Sequence, residues 1–296
     1  MSEPTDLHLR TVSLESRRLE EGRRSVHAEL RDVRRIDMPA YLGVSHPAGV
    51  VHHMALDVVL DTDLVVRDSK AWMGTVPFEH GPKTRGEGCR DIVPRYLELV
   101  GTRIDASYAM RVLRLVGGPS GCFHILSLAQ CLPLAVGAAV ASGAEEFRRR
   151  IRVRAVTDES MRLGMRGSLE DEAGGAGVGL AGLNLSLAVP GFRIVAAEAE
   201  VGGSGIGNAV ALAGLSIAKG FTAAALEAIG AGGDGTHELA ALIIAVTPVV
   251  PQASGALAGL LKLSPEQKLR AARAGNPQAD SCHMWRSGGP LMTAGR

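Results

Sequence analysis

Aromatic residues are scarce in this 296-residue chain, at 3%, which argues against surfaces that stack nucleic-acid bases. Neither sign of charge is in excess: 32 Lys and Arg stand against 31 Asp and Glu, for a net charge of +1. So neutral a chain has no basic footprint for nucleic acid and no attraction to an anionic membrane. Cysteine is rare, with four in the chain, and so few without a secretory context read as thiols or ligands, not as a disulfide framework. Long apolar runs are missing as well. The longest, Cys131 to Ser142 and Leu239 to Val250, fall short of the ~20 residues a membrane helix needs. The first residues include Glu3, Asp6, Arg10, Glu15, Arg17 and Arg18, unlike the apolar stretch of a secretory signal. A cytoplasmic location is expected.

What the chain does have is apolar material (46%) and 37 glycines, enough for one large core or two smaller ones, together with a pattern that occurs twice. The run Gly117-Gly118-Pro119-Ser120-Gly121-Cys122-Phe123-His124-Ile125-Leu126 matches Gly232-Gly233-Asp234-Gly235-Thr236-His237-Glu238-Leu239. Each opens on glycines, places a His after them and continues into an apolar helix. Upstream, Leu99-Val100-Gly101-Thr102 matches Leu212-Ala213-Gly214-Leu215, and Val26 to Asp32 matches Met165 to Asp171. A period of roughly a hundred residues suits a duplicated domain, not a solenoid.

Alternation and turn chemistry give the elements. Val26 to Ile36 reads as a half-buried strand. His52 to Trp72 reads as a hairpin turning at Asp61-Thr62-Asp63. Pro77 to Gly88 is a loop that delivers Cys89, and helices are expected over Asp91 to Leu99, over Tyr108 to Leu115 and from about Cys122 onward. The second copy repeats the order: a strand over Met161 to Asp171, a hairpin over Leu183 to Glu200 turning at Pro190-Gly191, and helices near Ala209 to Leu215, Phe221 to Ile229 and His237 to Ala245. Ser264-Pro265-Glu266-Gln267 then starts a short helix. Strands followed by helices, twice, predict an α+β fold of tandem antiparallel modules about a pseudo-twofold. The expected divisions are a mobile segment 1–22, a site-bearing repeat 23–150, a degenerate repeat 151–262 and a C-terminal helix and tail 263–296. The run Gly202 to Gly207 follows a hairpin outside any βαβ unit, so it reads as a plain glycine loop and not as a nucleotide fingerprint.

The reactive side chains fall mainly in the first copy. Cys122 and His124 sit at a helix start, where exposed amides and the positive dipole end favour a thiolate. Cys89 follows a glycine loop ahead of a helix. His52 and His53 are strand neighbours and face opposite ways, so one of them faces a shared site. Cys282-His283 forms a third cluster. Such N and S donors are the kind that zinc or iron takes. Cys89, Cys122 and His124 are therefore the expected metal ligands, with His52 as fourth ligand or nearby base, and His53, Cys282 and His283 are candidate catalytic groups and proton shuttles, Asp57 being a further candidate shuttle. Cys131 reads as a small buried hydrophobe, His27 as a surface residue and His237 as a local hydrogen-bonding group. Where the first copy has Cys122 the second has Gly235, and it has no Cys in the loop matching Cys89. The second copy thus keeps the fold and loses the site.

Leu30-Arg31-Asp32, His52-His53-Met54, Cys89, Gly121-Cys122-Phe123-His124-Ile125 and Asp280-Ser281-Cys282-His283-Met284 together resemble a bacterial family of unknown function, number 2889. That family has an Asp where His53 stands here; the resemblance implies a shared site, and the family's name carries no reaction. More distantly, the order of His52, Cys89 and Cys122 to Leu126 on their elements resembles U-type iron–sulfur cluster scaffolds, whose fold gathers three such positions around one zinc or cluster, and this resemblance implies one mononuclear site of His52, Cys89, Cys122 and His124. The first Cys of those scaffolds is absent here, so this likeness concerns fold alone.

The function these residues point to is a zinc- or iron-dependent enzyme acting on a small organic molecule in catabolism or secondary metabolism. The alternatives are a non-catalytic metal or iron–sulfur carrier, and a metal-free cysteine-nucleophile enzyme. The expected partner is a small-molecule substrate, neither nucleic acid nor membrane, with a homo-oligomer left open.

Overall fold

The structure, a computed structural model, describes residues 3–41, 44–160, 162–189, 191–217, 220–230, 236–260 and 279–293. The segment expected to be mobile, 1–22, instead supplies β1 (Thr5–Arg18), an interior strand of the main sheet. Leu7, His8, Arg10, Val12, Leu14 and Ser16 are all buried there. Two of its inward side chains are a histidine and an arginine, and that disguises the period-2 pattern of a core strand.

Strand β2 (Arg24–Arg34) returns antiparallel to β1. A small ribbon of β3 (Met38–Tyr41) and β4 (Val44–His46) follows. The expected hairpin is β5 (Gly49–Leu60) and β6 (Val66–Thr75), with Asp61 Oδ1 accepting from the Asp63 and Val65 amides in the turn (both 2.9 Å). A 3₁₀ segment, Cys89–Leu99, stands where a helix was expected and contains Pro94. Helix α1 (Tyr108–Val116) then leads to α2 (Phe123–Ala141).

The chain re-enters the sheet with β7 (Glu146–Thr157), which pairs with β1 from Thr5↔Thr157 to Arg17↔Glu146. Strands β8 (Leu163–Ala173), β9 (Ala176–Ala188), β10 (Arg193–Val201) and β11 (Ser204–Gly205) extend it. The result is one nine-stranded antiparallel sheet in the order β11-β10-β9-β8-β7-β1-β2-β5-β6. The division expected at residue 150 therefore falls inside β7, and the first set of strands begins at Thr5. A 3₁₀ turn (Gly207–Leu212), α3 (Phe221–Ala228), α4 (Thr236–Val246) and α5 (Val249–Leu260) follow, and a short helical turn (Pro290–Thr293) lies near the C-terminus. The helix expected at Ser264 to Gln267, the turn residue Pro190 and the glycines 232–235 lie outside the described residues.

The fold is α+β. Helix α2 lies over β1, β2, β5 and β7, α4 over β7, β8 and β9, and α5 over β1, β2 and β7. By length and apolarity alone α2 passes for a membrane span (mean hydropathy 1.7), yet 56% of its apolar window is buried within the protein. A helix that is apolar all round is what the centre of a layered core requires.

Matching details recur on the two sides of the β1/β7 seam. Arg10 on β1 makes a two-pronged hydrogen bond to Asp32 on β2 (2.8 and 2.7 Å), and Arg149 on β7 does the same to Asp171 on β8 (2.7 and 2.5 Å). At one sheet edge Val66 exchanges hydrogen bonds with Gly101 and Thr102, and near the other Ile194 does so with Gly214 and Leu215, all at 2.8 Å. Gly101 and Gly214 hold φ of 86° and 89°, a left-handed turn that glycine adopts without strain.

Candidate metal centre

The site forms where α2 begins above β1, β2 and β5. Asp32 and His52 are direct partners in the β2–β5 register, and one residue later the register slips so that Val33 faces Val50. This bulge lies beside the site and lets Val51 be buried without turning His52 outward. The helix start comes from a tight turn. Gly121 is packed so closely that a Cβ there would lie 1.7 Å from the Val116 carbonyl oxygen. Only glycine fits, and Cys122 follows as the N-cap of α2. The buried Tyr96 hydroxyl pins this corner, 3.3 Å from both the amide and the carbonyl of Cys122.

Asp32 has no exposed side-chain surface. It accepts from Arg10 Nε and Nη2, lies 3.1 Å from His8 Nε2 and lies 3.0 Å from His52 Nδ1. His124 Nε2 is 3.8 Å away, and the His52 and His124 rings are stacked with centroids 3.7 Å apart. Ligand atoms of Asp32, His52 and His124 all lie within 4.8 Å of one another, and this trio is the group of that kind found among the described residues. His124 Nε2 is buried without a hydrogen-bond partner. Leaving such a nitrogen unpaired costs about 1–3 kcal/mol, which a bound cation would offset.

Protonation suits that purpose. Burial alone would raise the Asp32 carboxyl, but the Arg10 charge and hydrogen bonds from Arg10, His52 and His8 outweigh it and hold the group well below the usual carboxylate range. Burial lowers His52 despite the pull of Asp32. Burial, then the neighbouring His52 and Arg10, holds His124 well below its ordinary value. An ionised carboxylate only accepts hydrogen bonds, so in the metal-free chain neutral His52 carries its proton on Nδ1, and an ion shared with Asp32 would take that proton's place. Asp32 is itself held by Arg10 and His8, the kind of outer hydrogen bonds that support a ligating carboxylate.

The thiols gather alongside. All four cysteines are unpaired, and Cys122 Sγ lies 3.9 Å from His124 Nδ1. The low thiol pKa expected at the start of α2 is not found. Burial, followed by the proximity of Cys282, pushes Cys122 up to about 12, although the His124 and Ile125 amides pull the other way. Desolvation here exceeds what the helix terminus supplies. Cys89 is raised well above the ordinary thiol value by burial and then by Cys122 and Cys282. Cys131 is in the core, as expected.

Of the expected catalytic groups, His53 faces the opposite side of the sheet, paired with Glu29 and edge-on to Trp72 at 5.0 Å. Asp57 lies there too, 2.7 Å from His27. Cys282 and His283 do arrive near the first copy. The His283 amide donates to the Gly121 carbonyl (2.8 Å), and its Nε2 lies 3.1 Å from Glu87. In the second half the register partner of Asp171 is Gly179, where the first half has His52, and His237 is exposed on α4. Sequence reading missed Asp32, His8 and Arg10 as site residues. The available signal was the recurrence of Leu-x-Asp at Leu30 to Asp32 and Leu169 to Asp171, an acidic residue kept at an inward strand position.

No curated protein matches this chain. The segment holding Asp32, His52, Cys89, Cys122 and His124 does have a counterpart: residues 8–136 match the family described as protein of unknown function DUF2889.

Proposed function

We propose that this protein is a zinc- or iron-dependent enzyme acting on a small organic molecule, with the ion held by His52, His124 and Asp32. The observation that carries the reading is the meeting of two neutral imidazoles and an ionised carboxylate within 4.8 Å, one imidazole nitrogen being buried and unpartnered. Two His and one carboxylate is a donor set used by both catalytic zinc and non-haem iron. The ion would supply Lewis acidity toward a carbonyl or an activated water. The chain's own residues do the positioning: Arg10 and His8 hold Asp32, the β2–β5 register sets His52 opposite it, and Tyr96 fixes the helix start that bears His124. Burial of the trio favours a resident ion over the labile, exposed site of a carrier. A free-thiol nucleophile is disfavoured, because Cys122 is held protonated and its histidine neighbour is a poor base. A reduced cytoplasmic setting fits four unpaired thiols.

We further infer a tandem duplication whose second half has lost its site. Support comes from the paired Arg–Asp bridges, the matching edge loops at Gly101 and Gly214, and the strand series β1-β2-β5-β6 and β7-β8-β9-β10 on either side of one seam. The test of both is metal analysis of dialysed protein. Stoichiometric zinc or iron is expected in the native chain and in His237→Ala, and its loss in His52→Ala and His124→Ala. Metal retained in both of those variants refutes the assignment.

A further inference from the structure

A strip of unsatisfied nitrogens runs from the imidazole–carboxylate trio toward the β3–β4 ribbon. His124 Nε2, His8 Nδ1, Arg34 Nε and His46 Nε2 are all enclosed without a hydrogen-bond partner. Arg34 is buried on the same face of β2 as Asp32, two residues further on, which is about 7 Å along a strand. It faces His8 in the β1–β2 register. Its Nη1 donates to the carbonyls of His46 (3.2 Å) and Pro47 (3.3 Å), and its Nη2 to Gln252 Oε1 on α5 (3.1 Å). All of these acceptors are neutral. The carboxylates whose charge reaches it are engaged elsewhere, Asp32 with Arg10, His8 and His52, and Asp37 with the Ala48 amide (2.7 Å). Among the described residues Arg34 therefore has no ion-pair partner, although a guanidinium is seldom buried without one.

The second half shows that the fold does not need this cation. Counted two residues from the Arg10–Asp32 pair, the next inward register pair is His8 with Arg34; counted likewise from Arg149–Asp171, it is Phe147 with Ala173. Arg10 and Arg149 each grip their aspartate with the Nε and Nη2 edge. On Arg34 that edge carries an idle Nε–H and one neutral amide. We propose that this edge of Arg34 takes the carboxylate of the substrate, so that the substrate is a small organic acid. A planar carboxylate matches the guanidinium fork, displaces the Gln252 amide and gives the buried cation its counter-ion. Gln252 is half-buried and Pro47 exposed, so this end of the strip lies just beneath the surface. His46, edge-on to Phe78 at 5.5 Å, stands beside it. The acid is thus anchored about 7 Å from Asp32, the span of a short carbon chain. The inference rests on the metal reading for the chemistry performed, while the anion contact belongs to Arg34 with or without an ion.

Thermal unfolding of the metal-free, full-length protein tests the contact without any ion. Sodium acetate is the probe, with sodium chloride at equal ionic strength and acetamide, its neutral analogue, as references. Acetate should raise the midpoint by about 2 °C or more over both references. Arg150→Gln, which removes an exposed arginine of the opposite sheet face, should respond as the native chain does. Two variants should lose the acetate-specific rise. Gln252→Glu supplies the carboxylate from within the chain. The double variant His8→Phe with Arg34→Ala installs the residues that the second half carries at the same place, a pair with which the sheet already packs. Circular dichroism checks that each is folded. The absence of an acetate-specific rise in the native chain, or a rise of native size in either folded variant, overturns the proposal. Failure of the metal reading looks different: an intact acetate response in a chain that retains no zinc or iron on dialysis.

Discussion

Asp32 and Asp171 offer a matched pair of perturbations. Each carboxylate takes two hydrogen bonds from a guanidinium with no exposed side-chain surface, Arg10 and Arg149 respectively. Asparagine at either position keeps the shape and removes the charge, leaving a buried cation without its counter-ion. Breaking a buried pair from one side costs about 3–5 kcal/mol. With a urea dependence of about 3 kcal/mol per molar, each unfolding midpoint should fall by roughly 1 M or more. Asp32→Asn belongs at the upper end, because the new amide also faces donors from His8 and His52. Metal content separates the roles: Asp32→Asn should lose the ion and Asp171→Asn should keep it. Since instability alone can empty a site, the double variant Arg10→Met with Asp32→Leu is the control. Removing both charges together is often close to neutral, so this chain should unfold near the native midpoint and still hold no ion at the imidazoles. Urea unfolding followed by circular dichroism, with elemental analysis of the same samples, reads both quantities. A cost below about 1 kcal/mol for Asp32→Asn would refute the buried-charge argument, and loss of metal from Asp171→Asn would refute the placement of the site.

Two further outcomes are expected. The metal-free protein should lose stability as pH falls below about 6.5, because His52 and His124 have folded pKa values lowered by burial from that value. The unfolded chain then binds more protons, so stability rises with pH across the window. Asp32, depressed in the fold, adds a separate loss only as pH drops below about 3.8. His124→Phe should flatten the upper window in pH-dependent urea midpoints, and an unchanged slope counts against a buried neutral imidazole. Gly121→Ala forces a methyl group onto the Val116 carbonyl, a backbone clash that only a shift of the turn relieves. A loss of about 2 kcal/mol or more is expected, with reduced metal content, and a variant with native midpoint and full metal contradicts the packing described for that corner.

Local signals were legible in the sequence where side-chain period and burial agree. The β5–β6 hairpin, with Met54, Leu56, Val58 and Leu60 inward and an Asp-rich turn, was readable on sight, and so was the glycine break before Cys122. Strand β1 was hidden because two of its inward positions are His8 and Arg10, whose burial makes sense only once Asp32 sits opposite them. Strand β7 was hidden for a related reason: Arg148, Arg150, Arg152 and Arg154 line its outer face and swamp the alternation of Phe147, Ile151 and Val153. The site was half legible. Reactive side-chain types at turns and helix starts identified His52, Cys122 and His124, whereas Asp32 needed the cross-strand register to be recognised. The thiolate expected at Cys122 failed on magnitude, because desolvation of a wholly enclosed sulfur exceeds the attraction of a helix end.

The seam between β1 and β7 imposes an order on biosynthesis. β1 leaves the ribosome first and can zip onto β2 within a few dozen residues, but its other flank waits until the segment around Glu146 to Thr157 has been translated. For that interval the nascent chain displays a row of unused amides and carbonyls, a template on which a neighbour on the same message could dock. Arg10 enters its final place during the same wait, so early capture of its charge by Asp32 keeps the half-made sheet from exposing a bare cation to its own core.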